Sequence, residues 1–550
     1  MRSPLVLAFL FVGTVSCGQL LGLDAFSEGS GGRGTSATTG GTGGAVGSTS
    51  ASMGGTGAGG GADCTPGMMV ACYTGVPTTR SVGKCSDGKA ICTKEGVPDI
   101  NCADQVLPTK EDCSKPEDED CDGFSCSETV WDAILGDADE QRGWDVAVDP
   151  SSGAVYVVGA FKSGITFGSD ILLATVRDAF VAKLDVDGKP VWAKSFGVGG
   201  SQSITSVAVD TKGDVLILGS NFSGGELDLG FGAIPAGAFL AKLTSNGTPI
   251  WSKSRAVGTG GPSGLDVDPK DNSVVITANF TGSASCGLSN HMSSGGTDIL
   301  LAKFDTAGTP QWSQSFGGPG SDTVSGVAVG STGHIAMAGS FNGSIVFGSS
   351  KLVATNNTDG FLVRFDAGGN HGWHKQLGDP AYQAATAVAI RPDAGVIVAG
   401  VYQGTVSVSG GPVLAGGGAY VIGLTASGTH AWSKSYLSSA LNITDLAVNA
   451  GGNVYVSGSF FGTFNLGGAN LASDGNKNGF IGQLDGTNGD HVWSRGFTGL
   501  SQIDFEDRVA IALGGHGEVH LAGSAQGLVN FSSPPLETLG TDVFVAKIAP

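Results

Sequence analysis

The run KPEDEDCDGFSCSE places Asp118, Asp120 and Asp122 at alternate positions, with Gly123 after them. Alternating carboxylates converge on one hard cation where a glycine permits the sharp turn, so the cofactor this run would take is Ca²⁺. A helix–loop–helix calcium site would need a bidentate Glu at the twelfth position. Thr129 stands there, and Glu128 is one residue early. A solvated acidic turn before a domain boundary fits the same residues, and the sequence leaves both readings open.

Eight of the ten cysteines surround this run: Cys64, Cys72, Cys85, Cys92, Cys102, Cys113, Cys121 and Cys126. The number is even, no C-x-x-C occurs, and no histidine lies among them. Such a segment is too small to rely on an apolar core, so a disulfide framework is expected and a zinc site is not. Eight cysteines allow about 105 pairings, and spacing does not choose among them. Further along, His371, His430 and His491 each stand two residues before a tryptophan, where Pro190, Pro249 and Pro310 stand elsewhere. That is a turn position shared by repeats and not a converging site. Cys286 falls in a slot held elsewhere by Phe167, Phe347, Val408, Leu466 and Phe531, which suits a small buried hydrophobe. No H-E-x-x-H, G-x-S-x-G or P-loop is present, so no catalytic set is assigned.

These residues must be positioned by something, and the tryptophans show what. Trp131, Trp192, Trp251, Trp312, Trp373, Trp432 and Trp493 are 61, 59, 61, 61, 59 and 61 residues apart. From Trp192 on, each ends a unit of apolar strands: a first such as SVAVD, a second such as VYVVGAF, a third such as DAFVAKLD, then the tryptophan strand. Near-continuous Val, Ile and Leu in the first two strands mean that both faces are covered. A small residue recurs in the second strand, at Gly159, Gly219, Ala278, Gly339, Gly400, Gly458 and Gly523, and is read as allowing a neighbouring sheet to approach. Tandem four-stranded sheets make a propeller or an open array. The last unit stops at FVAKIAP without a tryptophan strand, and TVWDAILGD is a tryptophan strand with no unit ahead of it. The N-terminal strand is therefore expected to complete the last sheet and abolish the exposed edges. The fold class is all-β: a seven-bladed β-propeller over 129–550, preceded by a Cys-rich segment over 63–128.

The start, MRSPLVLAFLFVGTVSCGQL, has the charge and apolar core of a secretory signal over 1–17 and is too short to span a bilayer. Its ending TVSC resembles a bacterial lipobox. The resemblance implies a lipid on Cys17 and, with Gly18 next, an outer-membrane lipoprotein of a Gram-negative bacterium. Ordinary signal cleavage nearby is the alternative. Residues 18–62 form a flexible linker rich in Gly, Ser and Thr, in which almost nothing can offset the entropy of ordering. A net charge of -20 excludes nucleic acid and anionic membrane surfaces as partners.

The pattern D-x-F-V-A-K-L-D, G-x-x-x-W, F-G-G-x-G-x-D, V-A-V-D and V-Y-V-x-G-x-F resembles the bacterial SBBP repeat, a family of seven-bladed β-propellers. Units 5 and 7 depart most, with GAYVIGLT and VHLAGSA. The Cys- and Asp-rich segment resembles metal-binding motifs of bacterial surface lipoproteins. Neither resemblance brings a catalytic set. Together with the anchor they imply an extracellular binding or adhesion protein with a protein or glycan partner. Loops after the tryptophan strands carry Asp137, Asp139, Glu140, Arg142, Gln202, Asp322, Tyr382, Gln383, Gln502, Asp504, Glu506 and Asp507, which suit polar ligands or ordinary solvated turns. The alternative function is a polysaccharide lyase or hydrolase with its site at the channel mouth.

Overall fold

A computed structural model describes residues 64–549 apart from 76–79, 83, 96, 100, 110–116, 118–127, 138, 198, 223–226, 256–259, 439, 500–507, 516 and 532–533. Seven four-stranded antiparallel sheets follow one another along the chain. The first blade is built from Gln141–Val148, Val155–Phe161, Asp178–Leu184 and Pro190–Phe196. In the seventh, Ala510–Leu513, Val519–Ala525 and Asp542–Ile548 are joined by Thr129–Leu135. That strand pairs antiparallel with the third, from Thr129 opposite Ile548 to Leu135 opposite Val543. The ring is closed by strands from opposite ends of the domain, as the unequal ends of the repeat array require.

The second strands of blades 1, 2 and 6 are buried at every residue, as their mostly apolar sequences demand. The recurrent small residue in them has a different cause from the one read in the sequence. A Cβ on Gly159 would stand 1.7 Å from the Arg142 carbonyl oxygen, and one on Gly458 would stand 1.9 Å from that of Asn442. The intruder is the first strand of the same blade, not a neighbouring sheet. A bulge in that strand, at Gly143/Asp145 and Ile443/Asp445, pushes its carbonyl inward.

The tryptophans join blades. Trp192 Nε1 donates to the Ser245 carbonyl at 3.1 Å, in the turn between third and fourth strands of the next blade. Lys183 donates to the same oxygen at 3.0 Å. Trp251, Trp373 and Trp432 repeat the bond to Thr306, Ala426 and Gly486. Trp131, on the closing strand, donates to Val186 of blade 1 at 2.9 Å. In each receiving turn a glycine with positive φ faces the indole: at Gly188, φ +77°, a Cβ would come 2.6 Å from Trp131. Within blades, the repeat lysine and the aspartate ending the first strand meet as buried ion pairs, Lys242–Asp210 at 2.7 Å and Lys303–Asp268 at 2.9 Å.

One element has no sequence counterpart above. The connection from second to third strand forms a small hairpin in every blade, Gly164–Phe167 with Asp170–Leu173 in the first. In blade 4 it is continuous with the strands Ile335–Phe347 and Ser350–Phe365. Its tip reaches the start of the tryptophan strand: a Cβ on Gly168 would lie 3.2 Å from Pro190, and one on Gly411 would lie 2.6 Å from His430. Inner strands touch around the axis while outer strands diverge, and the hairpin fills the widening wedge. Its apolar slot, held by Phe167, Cys286, Phe347, Val408, Leu466 and Phe531, is buried.

Candidate binding surfaces

The first strands line the axis. Asp145, Ser206, Ser263, Ser325, Thr386, Thr444, Asp445 and Arg508 border a cavity of about 60 Å³ there. Asp145 accepts from its own neighbour Val146 N at 3.0 Å and from Val207 N of the next blade at 2.9 Å. Asp445 does the same with Leu446 N and Ile511 N, and Arg508 lies 3.7 Å away. Asp266 clips blade 3 to blade 4 through Val267 N and Val329 N, both at 2.7 Å. Burial pushes Asp145 and Asp266 up to about 6, with Arg508 opposing the rise at Asp145. Thr386 donates to the Ile443 carbonyl at 2.6 Å. These polar groups are spent on holding inner strands together. The space between them takes about four waters, at about 15 Å³ each, whereas ligand pockets begin near 300 Å³.

The loops after the tryptophan strands are equally committed. Gln141, Gln202, Asp322 and Gln383 occupy one register position at the start of the first strand and are fully buried. Gln141 donates to Gly164 O at 2.9 Å and Asp137 Oδ1 at 2.6 Å, and Gln383 donates to Thr405 O at 2.7 Å. They lock loop to hairpin and do not face a ligand. Glu140 gathers Arg142 at 2.6 Å, Lys162 at 2.5 Å and Arg177. Burial raises its pKa, but the three cations outweigh that and hold it below the usual carboxylate range. Asp139 and Tyr382 are exposed beside these loops. Gln502, Asp504, Glu506 and Asp507 lie outside the described residues.

The histidines sit in structural slots. His430 bonds Ser433 at 2.7 Å, His491 bonds Ser494 at 2.9 Å, and His371 bonds His374 at 2.8 Å, each pairing the residue two before the tryptophan with the one after it. His520 takes the place of Tyr156 and Tyr455. Neither of its ring nitrogens has a partner, and burial drives its pKa down to about 4.

In the Cys-rich segment, Cys64 pairs with Cys92 and Cys72 with Cys102. Cys85 is disulfide-bonded too. These bonds frame a hairpin of Met69–Cys72 and Gly88–Ile91. Cys17, Cys113, Cys121, Cys126 and the acidic trio Asp118, Asp120 and Asp122 lie outside the described residues. Among the described residues, no three His, Cys, Asp or Glu side chains converge as metal ligands, and no helix is long and apolar enough to cross a membrane.

Exposed large apolar side chains occur in the Cys-rich segment, among them Met68, Met69 and Ile91, and on or beside the hairpins of all seven blades, among them Leu173, Phe231, Met292, Val353, Val413, Phe461 and Leu528. Leu173 keeps 73% of its surface and Met292 67%. Short Gly-rich strands hid this signal from the sequence.

No family model matches the chain, and no curated protein matches it in sequence. Solved structures align with it at low scores. The polysaccharide lyase Uly1 is 11% identical, with a TM-score of 0.43 over 78% of this chain and 93% of its own. The mitotic checkpoint complex gives 12% and 0.39, over 77% and 92%. Quinohemoprotein alcohol dehydrogenase from Comamonas testosteroni gives 10% and 0.38, over 77% and 78%. At such identities the likeness concerns fold alone.

Proposed function

We propose that this chain is a surface-displayed binding lipoprotein of the SBBP type. In this reading a lipid on Cys17 holds it at the outer membrane of a Gram-negative cell, and residues 18–62 keep the Cys-rich segment and the propeller clear of the bilayer. The hairpin-bearing wall engages a protein or glycan partner. The observation that carries the reading is that large apolar side chains stay exposed on or beside the hairpins of every blade, where a partner could cover them. The acidic loop at Asp118, Asp120 and Asp122 would take Ca²⁺. A lyase or hydrolase at the channel mouth has less support, because the axial cavity is far smaller than a sugar-sized pocket and its acids are tied to backbone amides.

The test is a glycan-array and envelope-protein binding screen with the chain and with a Leu173→Ser/Met292→Ser variant. Saturable binding that the variant loses supports the reading. Binding that the variant keeps removes the hairpin wall from it. Palmitate labelling that disappears in Cys17→Ala supports the anchor, and an unlabelled parent chain refutes it.

A further inference from the structure

Four blade junctions, those entering blades 1, 2, 4 and 5, bury an acidic or amide side chain from either side. The third strand begins with Asp178, Asp298, Asp359 or Asp542, and in blade 6 with Asn478. The glycine after the tryptophan strand lies directly on that side chain: a Cβ on Gly317 would stand 2.2 Å from the Asp298 carboxyl carbon, and one on Gly136 would stand 2.2 Å from Asp542 Oδ1. From the next blade comes Gln141, Gln202, Asp322 or Gln383. At the junctions entering blades 1 and 5 the glutamine nitrogen supplies a donor to the hairpin carbonyl, Gly164 O or Thr405 O.

The junction of blades 3 and 4 differs. Here Asp322 replaces the glutamine, so an acid faces an acid and the donor is lost. Gly318 N satisfies Asp322 Oδ2 at 2.7 Å, and Ser294 N satisfies the corresponding oxygen of Asp298 at 2.8 Å. Asp298 Oδ1 and Asp322 Oδ1 have no partner, in side chains 2% and 0% exposed; Asp178, Asp359 and Asp542 leave the same Oδ1 unpartnered, so the second orphan, on Asp322, is what sets this junction apart. The register-equivalent hairpin carbonyl, Ser344 O, lies 1.8 Å from where a Cβ on Gly318 would be, so it too borders this space. Aspartate is one methylene shorter than glutamine, so room is left where the amide nitrogen sits elsewhere. That position is bordered by these three acceptors, with the Ser344 hydroxyl beside them.

We propose that the blade 3–4 junction is a site for a hard cation of the Ca²⁺ class, held by Asp298 Oδ1, Asp322 Oδ1 and the Ser344 carbonyl. Oxygen donors of this kind, two of them anionic, are the ligand set such cations take. A proton can serve only one acceptor pair, whereas a cation serves all three. Burial, reinforced by Asp298, pushes Asp322 up to about 7, which marks how poorly two bare carboxylates coexist there. Water completes the coordination.

Thermal melting of the full chain at neutral pH, in excess Ca²⁺ against chelator, tests this. The repeats supply the controls: Asp322→Gln installs the residue of three other junctions, and Asp298→Asn installs that of blade 6. The expected result is a melting temperature several degrees higher in Ca²⁺ for the parent chain, with that part of the rise missing from both variants and their melting in chelator no lower than the parent's. A Ca²⁺ response as large in both variants as in the parent chain comes from elsewhere and overturns the assignment. So does a parent chain indifferent to Ca²⁺ that melts higher as pH falls through about 7 while Asp322→Gln does not, for then a proton fills the gap.

Discussion

The junction between blades 6 and 7 and the one between blades 1 and 2 begin from the same repeat and end differently. At the second, Trp192 drives its Nε1 into the Ser245 carbonyl of the following turn, and Gly247 closes over the indole. At the first, Trp493 is 5% exposed and its Nε1 has no partner. The reason is topological. The turn that should receive it would join the third and fourth strands of blade 7, and those strands come from opposite ends of the domain. Closing the ring with the N-terminal strand removes one receiving turn. Arg495 serves the gap instead, with Nη1 on Thr129 Oγ1 at 2.8 Å and Nη2 on Phe531 O, while Thr129 itself donates to Phe531 O at 2.6 Å. A repeat protein with this closure therefore has a seam whose contacts differ from those of the five junctions that carry the tryptophan bond.

Substitutions can break that contrast. The largest loss is expected from Trp131→Ala, which removes both the ring on the closing strand and its bond to blade 1. Truncating large aromatics costs about 3–5 kcal/mol in a core, and urea unfolding should show a fall near the lower end for this half-buried side chain. Trp192→Phe keeps the ring and leaves the Ser245 carbonyl one donor short, so about 1 kcal/mol is expected. Arg495→Met should cost a similar amount and speed unfolding, since it unties the seam. Trp493→Phe should cost nearly nothing, because the donor it removes is unsatisfied already. Equal losses for Trp192→Phe and Trp493→Phe would erase the contrast.

His520, packed 6.0 Å from Trp131, gives the seam its own pH dependence. Its folded pKa lies near 4, below the ordinary value of 6.5. The neutral ring is therefore tolerated above pH 6.5, and stability falls as pH drops from 6.5 through about 4, where the unfolded chain takes up a proton the folded one refuses. His520→Tyr, the residue of blades 1 and 6, should flatten that part of a stability–pH profile. An unchanged profile would place the acid sensitivity elsewhere.

The architecture was legible because its signals are periodic. The 59- to 61-residue tryptophan spacing, and ends that each lack what the other supplies, led to seven blades and a strand exchange. The hairpins were not legible. They are two to four residues long, Gly-rich and different in every blade, so no alternation marks them, although the buried slot beneath them did register. The role of tryptophan as a staple was hidden for another reason: its partner is a main-chain carbonyl, which has no letter in the sequence. The loop residues Gln202, Asp322 and Gln383 looked like ligand-facing polar groups because their partners, main-chain atoms for Asp322 and Gln383 and the distant Asn221 for Gln202, are not marked beside them in the sequence. The exposed surface that supports binding became visible only once burial had removed the other apolar residues.

Ring closure is tested most directly by comparing thermal unfolding of the chain that retains Thr129–Leu135 with one that begins at Gly136. Deleting the strand bares the edge of Asp542–Ile548 along its whole length and removes the Trp131 bond to blade 1. The melting temperature should then fall sharply, with new protease cleavage in blade 7. An unchanged melt would contradict closure by the N-terminal strand.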